Sequence, residues 1–107
     1  MTYNNLEIIN AIDSALDDMY FFLKAKNDSY GASAFTAPAL CPSLPPRVAI
    51  LTRMSDKLNR LFTGGKIQGE SFDDTIKDLV GYGIIYLAEQ KLREAKQAET
   101  NQEEGKE

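Results

Sequence analysis

Three groups of side chains in this 107-residue chain have the types and spacing to do chemistry. Arg53, Lys57 and Arg60 recur at i, i+4 and i+7, so on a helix they share one face. Such a trio can grip a phosphate, arginine by paired hydrogen bonds and lysine as a point charge. The same three residues equally make a solvated face paired with the acids Asp73, Asp74 and Asp78. Asp74 and Asp78 stand one helical turn apart, and two carboxylates so placed can hold Mg²⁺ together with a substrate phosphate. Their other reading is structural, Asp74 at a helix N-terminus and Asp78 in an ion pair. Tyr30 and Phe35 bracket the small residues Gly31, Ala32, Ser33 and Ala34. There an aromatic ring can stack on a base, Gly31 permits close backbone approach, and hydroxyls of Ser29, Ser33 or Thr36 can meet phosphate. Lys26 and Asn27 stand at the mouth of this segment as polar ligand partners. Alternatively, the two aromatics simply anchor the segment to a core.

Composition removes other chemistries. With no histidine, Ser-His-Asp and Cys-His catalysis and His-ligated zinc are excluded. The single cysteine, Cys41, can form neither an internal disulfide nor a thiolate cluster. Gly64-Gly65-Lys66 lacks the frame of a phosphate-binding P-loop and reads as a helix C-cap. The net charge of −4 argues against general nucleic-acid binding, but it is unevenly spread: −3 over residues 1–46, +4 over 47–69 and −5 over 70–107. No apolar run approaches the ~20 residues of a membrane span. The polar start lacks the basic region of a secretory signal, so a cytoplasmic location is expected.

The elements that must position these groups are helical. Asn4 and Glu7 have capping-box spacing, and Leu6, Ile9, Ile12, Leu16, Met19 and Leu23 mark one face of a first helix from about Asn5 to Lys26. Residues 27–46 hold all four prolines and read as a long Pro/Ser-rich connection, with Tyr30, Phe35 and Leu40 available to tuck it onto a core. A second helix starts at Pro46 and stops before Gly64. Val48, Leu51, Met54 or Ser55, Leu58 and Leu61-Phe62 make its expected buried face, with Arg53, Lys57 and Arg60 opposite. A third helix is capped by Ser71, carries Asp73 and Asp74 in its first turn, and is apolar on nearly all sides from Ile76 to Ala88. Gly81 and Gly83 on that helix point to close approach of a neighbouring backbone. Tyr82 and Tyr86, one turn apart, read as core or interface residues. Beyond Leu92 no large apolar residue remains.

Three blocks of the sequence resemble a phage and prophage family, the nucleotide-modification-associated domain 1 proteins. Lys26-Asn27-Asp28-Ser29-Tyr30-Gly31 is similar to its Lys-Asn-x-Asp-Tyr-Gly signature, with Ser29 where the signature has Asp. Arg53 to Leu61 followed by Gly-Gly-Lys resembles a second block, and Glu70 to Leu79 followed by a small and apolar run resembles a third. More distantly, these blocks are similar to the all-α nucleoside triphosphate pyrophosphohydrolases of the MazG type. Those enzymes hold Mg²⁺ with Glu-Glu-x-x-Glu and Glu-x-x-Asp. Here Thr75 stands three before Asp78 and the second helix has no Glu-Glu-x-x-Glu; Asp13 and Asp17 of the first helix are the further acids available.

The sequence therefore predicts an all-α protein, a three-helix bundle-like domain over residues 1–95 with a long Pro/Ser-rich loop between helices 1 and 2, and a charged, disordered tail over 96–107. The expected ligand residues are Lys26, Asn27, Tyr30, Arg53, Lys57 and Arg60, with Asp74 and Asp78 as metal ligands if Mg²⁺ is used. The resemblance implies a phage-type nucleotide-binding protein of the host cytoplasm. A basic pocket with an incomplete catalytic motif in a small acidic protein fits sequestration of a nucleotide or cyclic-nucleotide defence signal. The apolar third helix leaves an exposed stripe that predicts a homodimer or higher oligomer. The alternatives are a Mg²⁺-dependent pyrophosphohydrolase and a protein-binding inhibitor.

Overall fold

A computed structural model describes residues 1–30, 35–63 and 71–104, with side chains for all of these except 29, 30, 103 and 104. The fold is all-α. Three helices follow one another, α1 (Asn5–Tyr30), α2 (Pro46–Thr63) and α3 (Phe72–Glu104). The chain divides into two compact units, Met1–Ser33 and Ala34–Glu107.

The first unit is built on α1. Its start is fixed by a reciprocal capping box: the Glu7 N–H donates to Asn4 Oδ1 at 2.8 Å, and the Asn4 N–H donates to Glu7 Oε2 at 3.1 Å. The helix runs to Tyr30, four residues beyond the expected end at Lys26. The first proline after Lys26 is Pro38, so Asn27, Asp28 and Ser29 lower helix propensity without breaking the hydrogen-bond ladder. Leu6, Ile9, Ile12 and Leu16 form the expected stripe, and all are exposed. Among the described side chains of α1, only Met19, Phe22 and Leu23 are partly covered.

The second unit pairs α2 with α3. Lys57 lies six residues before the end of α2 and Asp78 six residues after the start of α3, and they meet, as an antiparallel hairpin requires. Pro46 opens α2, where its missing N–H costs nothing, and the Pro45 carbonyl accepts from the N–H groups of Val48 and Ala49. Ser71 caps α3 as expected: the Asp74 N–H donates to Ser71 Oγ at 3.1 Å and the Ser71 N–H to Asp74 Oδ2 at 3.3 Å. Ahead of α2, the Cys41 N–H donates to the Pro38 carbonyl and the Leu44 N–H to the Cys41 carbonyl, two successive tight turns. Phe35 and Leu44 are half-buried, but Leu40, expected to tuck inward, is fully exposed.

The face that α2 turns to α3 differs from expectation. Its buried residues are Ala49 and Ile50, the latter 0% exposed, and the same side continues through Arg53, Lys57 and Arg60, all half-buried. Of the expected face, Val48, Met54 and Leu61 are half-buried as expected, whereas Leu51, Leu58 and Phe62 are exposed. Across from α2, helix α3 presents Thr75, Asp78, Gly81, Tyr82, Ile85 and Glu89, each buried or half-buried. Small residues there (Ala49 on one helix, Thr75 and Gly81 on the other) leave room for the two backbones to approach, and Lys57 reaches Asp78 across the seam. Past Leu92, α3 stays helical to Glu104 with exposed side chains through Gln102, where a disordered tail over 96–107 is expected; residues 105–107 lie outside the described residues. Glu94, Ala95, Lys96, Gln97, Ala98 and Glu99 are mostly strong helix formers, which is enough to propagate a helix already nucleated.

Candidate functional site

The α2–α3 seam gathers the cations. Lys57 Nζ is 3.0 Å from Asp78 Oδ2, and the two side chains are only 15% and 21% exposed. A shielded pair of this kind fixes the register of the hairpin and neutralises Lys57. Arg60, one turn further on, is half-buried and engaged. Arg53, one turn before Lys57, is half-buried and has no carboxylate partner among the described residues. A guanidinium without a carboxylate partner adds local positive potential that favours an incoming anion.

The two carboxylates proposed for Mg²⁺ both have structural roles. Asp74 accepts from the Ser71 N–H in the cap, and Asp78 holds Lys57. A metal at this pair would share the carboxylates with one amide donor and one ammonium. Asp74 is exposed and Asp78 half-buried, and the described residues contain no cluster of three or more acids and cysteines able to hold a metal.

Sequence reasoning missed two residues of the seam. Thr75 is buried and its hydroxyl donates to the Ser71 carbonyl at 3.2 Å, so its polar atom is satisfied within its own helix. Glu89 is 8% exposed, and its Oε2 lies 3.4 Å from Arg93 Nη2, an ion pair without hydrogen-bond geometry. The i, i+4 spacing of Glu89 and Arg93 is visible in the sequence, but the burial of Glu89 is not.

The residues named on α1 belong to the other unit. Lys26 Nζ sits 4.7 Å above the Phe22 ring, a cation–π contact one turn back along the helix. Asn27 is exposed. Tyr30 is the last residue of α1, and its side chain lies outside the described residues, as do Gly31 to Ala34 and Gly64-Gly65-Lys66, where a helix C-cap is expected. The first unit also carries a shallow apolar groove of about 700 Å³ along the start of α1, between Tyr3, Glu7, Ile8 and Ile12, which includes none of the expected ligand residues.

No family model matches the chain, and no curated protein or solved structure matches it either. Among the described residues, no helix is long and apolar enough to cross a membrane.

Proposed function

We propose that this protein binds a nucleotide or nucleotide-derived signal through its phosphate at the α2–α3 seam, and that it sequesters this ligand rather than hydrolysing it. Arg53 carries the reading: it is half-buried, lacks a carboxylate partner among the described residues, and stands one turn from Lys57. Arg53 is the primary phosphate contact and Lys57 joins it by sharing its ammonium between Asp78 and the ligand, with Arg60 extending the same edge. The capping role of Asp74 and the ion-pair role of Asp78 favour binding over Mg²⁺-dependent pyrophosphohydrolysis. The three-block resemblance to a phage nucleotide-associated family supports a nucleotide over other anions, and supports an anti-defence role in the host cytoplasm.

The test is a melting-shift screen with nucleoside mono-, di- and triphosphates and cyclic nucleotides, followed by calorimetric titration of Arg53→Ala. Stabilisation of the wild type by one class, lost in Arg53→Ala and independent of Mg²⁺, supports the reading. Release of pyrophosphate with Mg²⁺, abolished by Asp78→Asn, makes the protein a hydrolase instead. The protein-binding reading is favoured by a separate observation, the exposed apolar stripe of Leu6, Ile9, Ile12 and Leu16 on α1. A flat response to every nucleotide, with a stoichiometric protein partner retained at high salt, would establish it.

A further inference from the structure

Helix α3 has two working faces, and only one meets α2. Thr75, Asp78, Ile85 and Glu89 face α2; Phe72, Ile76, Val80, Gly83 and Leu87 recur at intervals of three and four residues on the opposite side. The four large side chains of that outer stripe are between 37% and 68% exposed. Gly83 lies within it, and a Cβ built there meets no atom within 4 Å. The stripe is therefore a ridge of apolar side chains with a notch, flanked by Val80 on one turn and Leu87 on the next.

Charge along the edge of this stripe identifies the occupant. Asp73 and Lys91 are both exposed and are 18 residues, five helical turns, apart, so they lie on the same flank at opposite ends. In two parallel copies this flank would meet the opposite flank of the other helix, so neither Asp73 nor Lys91 would face its opposite charge. Two antiparallel copies centred near Tyr82 set Asp73 of each against Lys91 of the other, at both ends. The same register brings Ile76 toward Leu87 of the second copy and Val80 toward its Gly83 notch. A ridge thus meets a notch twice under one two-fold axis, which closes the assembly at two chains.

We propose that the outer face of α3 is a self-association surface on which a second copy docks antiparallel, crossing near Gly83, with Asp73–Lys91 pairs fixing the direction. The surface is distinct from the cationic seam, and the proposal does not depend on the nucleotide reading.

Light scattering and sedimentation of the full chain test it. Twice the 11.9 kDa chain mass is expected, at concentrations up to about 100 µM. Leu87→Lys, which puts a charge in the stripe, should give one chain mass with helical content kept. Lys91→Glu should weaken association at least tenfold by setting acid against acid at both ends, and Asp73→Lys combined with Lys91→Glu should restore it. A wild type that stays at one chain mass throughout this range overturns the proposal. So does a dimer indifferent to Leu87→Lys. A dimer weakened by Lys91→Glu and not rescued by the double exchange overturns the antiparallel register.

Discussion

Arg53, Lys57 and Arg60 look equivalent by spacing, yet they hold different positions in the structure. Lys57 is committed to Asp78, whereas Arg53 has no carboxylate partner among the described residues. Substituting them should therefore separate binding from stability. Arg53→Ala should weaken nucleotide binding by about ten- to a hundredfold, the scale of a charge-assisted contact, and leave the melting temperature nearly unchanged. Lys57→Ala and Asp78→Asn should each lower stability, and a double-mutant cycle should return a coupling of about 1 kcal/mol, since both side chains retain some contact with water. A coupling near zero would make the pair incidental. Asp78→Asn should also leave nucleotide binding intact or improve it, because it releases the Lys57 ammonium.

At the scale of the element, the caps were legible because they are local. Asn4 with Glu7 and Ser71 with Asp74 form reciprocal boxes within a few residues of sequence, needing no tertiary information. Ser71→Ala should cost about 0.5–2 kcal/mol in chemical denaturation, and Ser71→Asn should recover most of it. The buried face of α2 was not legible, because an amphipathic pattern shows where the apolar arc lies and not which arc the neighbour will meet. That difference is measurable. Ile50→Ala, at a position 0% exposed, should cost about 2–5 kcal/mol, whereas Leu58→Ala on the exposed arc should cost well under half of that. The reverse order would restore the face that hydropathy alone selects.

For the whole molecule, Ala49 and Ile50 are the only fully buried apolar residues among those described. Two such side chains contribute a few kcal/mol of burial, small against the conformational entropy of ordering a chain of this length. Most of the apolar surface that could offset that entropy lies on exposed helix faces, so stability should depend on what covers them. Thermal melting followed by circular dichroism should accordingly shift upward by a few degrees for each tenfold rise in chain concentration, and the shift should vanish in Leu87→Lys. A melting temperature independent of concentration would count against association through these faces.

Residue types and spacing were enough for the three helices and their order, the Asn4–Glu7 capping box, the Ser71 cap, the proline start of α2 and the acidic first turn of α3. Each depends on contacts a few residues apart, where residue type and spacing suffice. The spacing also singled out Arg53, Lys57, Arg60, Asp74 and Asp78 as candidates for binding a phosphate or a metal. It took the packing of α2 on α3 to show that Arg53, Lys57 and Arg60 are half-buried, that Asp78 pairs with Lys57 while Arg53 has no acid partner among the described residues, and that Glu89 is buried beside Arg93. Those outcomes follow from the rotation of one helix against another. Rotation is set by how small residues such as Ala49, Thr75 and Gly81 let two backbones approach, and a one-dimensional pattern does not carry it.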